Sequence, residues 1–132
     1  MRFGPWIPLA RALESAAEGP GLFQLRVLSG LRRFPRGRSA MVAYGGGDEV
    51  RGALGAFLDG EGGARARACG PLLCRFAAPD LGRGAAEALA QLRRRFVEQF
   101  GAAPEDGIDD GVGDGAGGGA SGGDGEGGRQ DA

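Results

Sequence analysis

The chain has 132 residues, with 16 arginines against 17 acids for a net charge of −1, and contains no histidine, lysine, asparagine or threonine. That length suits one small domain, and two cysteines without a histidine fall short of the four ligands of a structural zinc site. No run approaches the roughly 18 apolar residues of a membrane-spanning helix, so the sequence predicts no membrane segment.

The near-neutral total hides an asymmetry. Residues 1–104 hold fifteen arginines and nine acids, a net charge of +6, whereas residues 105–132 hold eight acids and Arg129, a net charge of −7. Twelve of those last 28 residues are glycine, and Ile108 and Val112 are their only large apolar side chains. Such a segment cannot bury enough surface to offset its ordering entropy. The sequence therefore predicts a domain at 1–104 and a disordered, acidic, Gly-rich tail at 105–132. Opposite charges make the tail a candidate intramolecular partner for the basic body.

In chain order, Pro8 opens a short helix in which Leu9, Ala12, Leu13 and Ala16 share a face, and Gly19-Pro20-Gly21 ends it. Pro5, Pro8, Arg11 and Glu14 interrupt any apolar run near the start, so no secretion signal is expected. Leu22–Leu28 reads as a strand with Phe23, Leu25 and Val27 on its core face. Residues 29–39 read as an arginine-rich loop, and Ala40–Tyr44 as a second strand. Asp48 is placed as N-cap of a helix whose stripe is Val50, Leu54, Phe57 and Leu58. Gly60–Gly70 reads as a loop or frayed helix, and Leu72–Phe76 as a third strand containing a buried thiol, Cys74; Cys69 is incidental. The last helix is the clearest, with Ala85, Leu89, Leu92, Phe96 and Phe100 on one face, Gly101 ending it and Pro104 blocking its continuation. The predicted class is α+β: a small three-stranded, mainly antiparallel sheet covered by helices, in the order α-β-β-α-β-α. Two cysteines are no disulfide framework, and a cytoplasmic setting is expected.

Tyr44-Gly45-Gly46-Gly47 invites three readings. A phosphate-cradling loop would need a following Lys and Ser/Thr, or a G-x-G-x-x-G spacing, and both are missing. A plain strand-to-helix turn through Gly45, Gly46 and Gly47 explains the residues without a ligand. The third reading is a resemblance. Gly21-Leu22-Phe23 on one strand, then Tyr44-Gly45-Gly46 ending the next, then an amphipathic helix, resembles the GIY-YIG endonuclease family over roughly residues 20–100.

That resemblance implies a compact α+β domain and metal-dependent phosphodiester hydrolysis. It implies two motif tyrosines at the scissile phosphate, an arginine on the following helix, and a glutamate on a later helix that holds a divalent cation such as Mg2+. Tyr44 matches the second tyrosine, and Phe23, lacking a hydroxyl, replaces the first. Ala53 falls near the arginine position, while Arg51 lies about 200° around the helix from it. Glu87 matches the metal glutamate, yet it equally suits a solvated acid favoured by the helix dipole. The implied catalytic set is thus Tyr44, Arg51 and Glu87, the implied metal ligand is Glu87, and the loss at Phe23 implies a degenerate nuclease. Mg2+ is expected only if nuclease activity survives; nothing else in the sequence calls for a cofactor.

Arg26, Arg32, Arg33, Arg36 and Arg38 gather around the expected hairpin, with Arg51 and Arg75 as possible extensions. Guanidinium groups bind phosphate through paired hydrogen bonds, and Phe34 and Tyr44 offer stacking faces, so DNA or RNA is the expected partner. The competing explanation is that arginine does all the solubilising work in a chain without lysine. A protein partner, docked at a retained cleft beside Trp6 and Ile7, is the alternative from a different class.

Overall fold

The computed structural model describes residues 2–16, 18–80 and 82–109. Its elements are β1 (Ile7–Pro8), α1 (Leu9–Ser15), β2 (Gly21–Val27), β3 (Arg32–Phe34), β4 (Gly37–Ser39), β5 (Met41–Gly47), α2 (Val50–Asp59), α3 (Glu61–Arg67), β6 (Leu72–Ala77), α4 (Ala85–Phe100), a 3-10 turn at Pro104–Asp106, and β7 (Ile108–Asp109). The class is α+β. β1, β6, β2 and β5 lie side by side in that order as one antiparallel sheet, and β4, β3 and β7 form a second, smaller antiparallel one. No helix among the described residues is long and apolar enough to cross a membrane.

Strand alternation distributes the core. Phe23, Leu25 and Val27 point to one face, where they pack with Ala12 of α1, Val50, Leu54 and Leu58 of α2, and Ala66 of α3. Leu22 points to the other, against Ala85 and Ala88 of α4. Farther along α4, Phe96 and Phe100 pack with Tyr44 and with Phe34 of the hairpin. Both faces of β2 are therefore covered, which is why Leu22 and Gln24 are as buried as Phe23 and Leu25. At roughly 25 cal/mol per Å2 of apolar area removed from water, these two layers supply the main folding drive. The αL conformation of Gly101, φ 87°, ends α4 where the sequence places its end.

Several expectations need correction. The main sheet has four strands, not three, because Ile7–Pro8 pairs with Leu73–Cys74 at its edge. Two residues carry no periodicity, so only the pairing reveals them. The arginine-rich stretch is not an open loop. Arg32–Phe34 and Gly37–Ser39 pair across a tight turn, with Gly37 at φ 128°. The Gly60–Gly70 stretch contains α3, whose Gly63 lies so close to α2 that a Cβ would sit 2.3 Å from the Leu58 carbonyl oxygen. Asp48 is not the N-cap of α2. Glu49 occupies that position, and its carboxylate accepts from the Gly19 amide at 3.0 Å.

The three glycines are corrected too. Gly45, Gly46 and Gly47 are the paired end of β5, opposite Phe23, Leu22 and Gly21; the turn follows them. A Cβ on Gly45 would meet the Phe23 ring at 2.3 Å, and one on Gly46 would meet the Gly21 carbonyl oxygen at 2.4 Å. Close approach within the sheet, not a sharp turn, demands these glycines.

The boundary at 104 also moves. Pro104 is buried, Arg93 pairs with Glu105, and β7 pairs with β3 through Arg32↔Asp109 and Arg33↔Ile108. The first residues of the acidic stretch thus fold back onto the arginine-rich hairpin. The remainder of the expected tail, residues 110–132, lies outside the described residues.

Candidate functional site

The four positions singled out by the motif resemblance do not converge. Phe23 lies in the α2-facing core, its ring 5.8 Å from that of Phe57. Tyr44 points to the opposite face of the sheet, edge-on to Phe96 at 5.6 Å. Arg51, on the first turn of α2, donates from Nε and Nη2 to the Ala16 carbonyl and so ties α2 to the end of α1. Glu87 is exposed on the first turn of α4. The described residues contain no group of three or more His, Cys, Asp or Glu that could hold a metal ion. A hard cation such as Mg2+ needs several oxygen ligands in a fixed geometry. Among the described residues Glu87 is not part of such a ligand set.

Tyr44 is 8% exposed. Burial pushes its hydroxyl up to about 12 from the usual 10.0, outweighing the opposite pull of Arg75 and Arg93. A phenol held neutral so firmly is poorly suited to take a proton at neutral pH. Around it the structure gathers residues the motif did not name. Arg93 of α4 donates to the Tyr44 carbonyl at 3.3 Å and grips Glu105 with two nitrogens at 2.7 and 3.0 Å. The hydrogen bonding to Glu105 raises the Arg93 pKa still further.

The hairpin arginines divide into different roles. Arg32 is buried, 5% exposed, and its guanidinium donates to the carbonyls of Met41, Pro104 and Gly107 at 2.8, 2.7 and 2.9 Å. It bolts the hairpin to β5 and to the C-terminal turn. Arg36 donates to the Val97 and Glu98 carbonyls at the end of α4, where a cation also suits the negative end of the helix dipole. Both therefore leave the expected phosphate-binding set. Arg33 and Arg38 face each other across the hairpin, Arg33 exposed and Arg38 half-buried.

Arg26 belongs to a different assembly. Gln24 pairs with Arg75 of β6, which puts both side chains on the α4 side of the sheet. Arg75 lies against two rings, 4.5 Å from the Phe3 centroid and 4.4 Å from that of Trp6, and its Nε donates to Oε1 of the buried Gln24 at 2.7 Å. Arg26 sits over Trp6 at 5.5 Å and donates from Nε to the Val27 carbonyl. The result is a ladder, Phe3–Arg75–Trp6–Arg26, with the two rings half-buried. Among the described residues the terminal nitrogens of Arg75 have no hydrogen bond to the protein. Partial burial lowers the Arg75 pKa, yet an arginine stays charged near neutrality.

Such a ladder combines fixed cations, unused donors and flat apolar faces. It suits a ligand with alternating anions and planar rings. Sequence reasoning named Arg75 only as an extension of the hairpin and gave Trp6 a different role. Alternation along β6 was a usable signal, since Leu73, Arg75 and Ala77 must share a face. Which residues meet Arg75 depends on pairing across 51 residues of chain to Gln24.

No protein-family model matches this chain, and neither does any curated protein or solved structure.

Proposed function

We propose that this protein is a GIY-YIG-like domain that has lost nuclease chemistry and binds single-stranded nucleic acid. The observation that carries this reading is Arg75, held between the Phe3 and Trp6 rings and by Gln24, with no hydrogen bond from its terminal nitrogens among the described residues. Phosphate oxygens are natural acceptors for those donors. The neighbouring rings offer faces on which bases stack, a sequence-tolerant interaction worth about 1–3 kcal/mol per base. Duplex DNA keeps its bases inside and would use only the charge, so a single strand fits better. Residues 1–109 hold fifteen arginines and twelve acids, a net charge of +3 that favours a polyanion. Loss of catalysis is supported by Phe23 in place of a tyrosine, by the buried and weakly acidic Tyr44, and by Arg51, which is employed in tying α2 to the end of α1.

The test is fluorescence anisotropy of labelled single-stranded, duplex and branched DNA, and of single-stranded RNA, with the full chain across a salt series containing magnesium. Single strands should bind most tightly, with affinity falling steeply as salt rises. Arg75→Gln and Trp6→Leu should each weaken binding about tenfold. A shortened product in the same tube would overturn the loss of catalysis. No binding at low salt would overturn nucleic-acid recognition and turn attention to a protein partner.

A further inference from the structure

Beside the ladder lies a pocket of about 230 Å3, where the N-terminal segment meets α4 and the loop before it. Phe3 forms one wall and Leu92 another, and Asp80, Arg83, Gln91 and Arg95 bring polar groups to it. Gln91 and Arg95 are four residues apart on α4, hence on one face of the helix. Arg83 donates to Oε1 of Gln91, which fixes that guanidinium at the rim before any ligand arrives. Phe3 is shared: its ring is also one of the two against which Arg75 lies. The pocket is thus continuous with the ladder through a single side chain.

We propose that this pocket receives one nucleotide unit, base and phosphate together, of the strand that the ladder binds. The inference rests on the nucleic-acid reading and adds a defined subsite to it. Two guanidinium groups against one carboxylate leave a net positive charge, with Arg83 and Arg95 placed for phosphate. Phe3 and Leu92 supply an apolar wall for a base. The Gln91 amide adds a hydrogen-bonding group for a base edge or a sugar hydroxyl. Size limits the ligand. Pockets for drug-sized molecules run from about 300 Å3 upward, so this one suits a single unit and not a dinucleotide.

Calorimetric titration of the full chain with AMP, adenosine and inorganic phosphate tests the proposal, with a ten-residue oligo(dT) titrated in parallel. AMP should bind at least tenfold more tightly than adenosine or phosphate. Arg83→Gln and Arg95→Gln should each weaken AMP at least fivefold, while Arg26→Gln, on the far rung of the ladder, should leave AMP unchanged and weaken oligo(dT). Circular dichroism melts would show that the exposed-site variants remain folded. If oligo(dT) binds but AMP does not, or if AMP binding ignores Arg83 and Arg95, the pocket assignment fails and the ladder reading stands. If phosphate alone matches AMP, the site is for a bare anion and the nucleotide assignment fails. If neither AMP nor oligo(dT) binds, both readings fall.

Discussion

Two groups of arginines sit on this molecule, one at the β3–β4 hairpin and one along the β6 side of the main sheet. The first looks like the binding surface in the sequence, because four arginines fall within seven residues at 32–38. In the fold, Arg32 and Arg36 serve as internal fasteners, gripping five carbonyl oxygens between them. The second group is sparse in sequence. Arg26 and Arg75 come from separate strands, yet Phe3 and Trp6 hold them in an ordered ladder. Density of charge in a sequence therefore says little about where charge is presented. What decides is whether backbone acceptors lie within reach of the guanidinium once the chain is folded.

The sharpest way to test that contrast is to remove a fastener. Arg32→Ala leaves three carbonyls without their donor and opens a gap between hairpin and turn. Each buried acceptor left without its donor costs about 1–3 kcal/mol, so the three together cost about 3–5 kcal/mol. Urea denaturation should show that loss, and a variant as stable as the parent would place Arg32 outside the fold's support.

Alkaline pH probes the core beneath both groups. Tyr44 and Cys74 are both pushed up to about 12 by burial, from ordinary values of 10.0 and 9.0. Each is neutral in the fold and ionises earlier in the unfolded chain. Their contribution is therefore fully present below pH 9 and is lost as pH rises to 12, by about 2–3 kcal/mol for the two-unit shift of Tyr44 and by more for the three-unit shift of Cys74. Absorbance titration at the phenolate band should show Tyr44, the only tyrosine, ionising with the unfolding transition. Ionisation near pH 10 in the folded state would contradict its burial.

A smaller effect on stability is expected at the ladder. Arg75→Gln should lower the unfolding free energy by about 1–2 kcal/mol, the scale of two partly desolvated cation–π contacts. Its main consequence should be weaker binding of single-stranded DNA, whereas Arg33→Gln on the hairpin should change that binding less than threefold. Equal losses from both would erase the distinction between the two regions.

The least effect belongs to Glu105→Gln. Arg93 and Glu105 are 35% and 22% exposed, so solvent screens the pair. A half-exposed ion pair contributes about 0–1 kcal/mol even with two hydrogen bonds. A thermal melt should shift by a few degrees at most, and less at high salt.

Much of the fold was legible along the chain. α4 announced itself by its apolar spacing and its glycine stop, because sixteen residues give a period room to show. The core face of β2 followed from alternation. Shorter elements were hidden: a two-residue β1 has no period, and α3 contains two glycines that weaken any helical signal. The motif at Tyr44 was visible, but the register that sends Phe23 and Tyr44 to opposite faces was not.

By itself, the sequence determined the secondary elements long enough to repeat a pattern and the charge contrast between body and acidic stretch. Tertiary structure alone decided which arginines are fasteners and which are presented, where Glu105–Asp109 returns, and that Phe3, Trp6, Gln24 and Arg75 meet. The physical reason is range. Periodicity and capping act within a few residues, whereas a guanidinium's partners are set by strand register and layer packing between segments far apart in the chain.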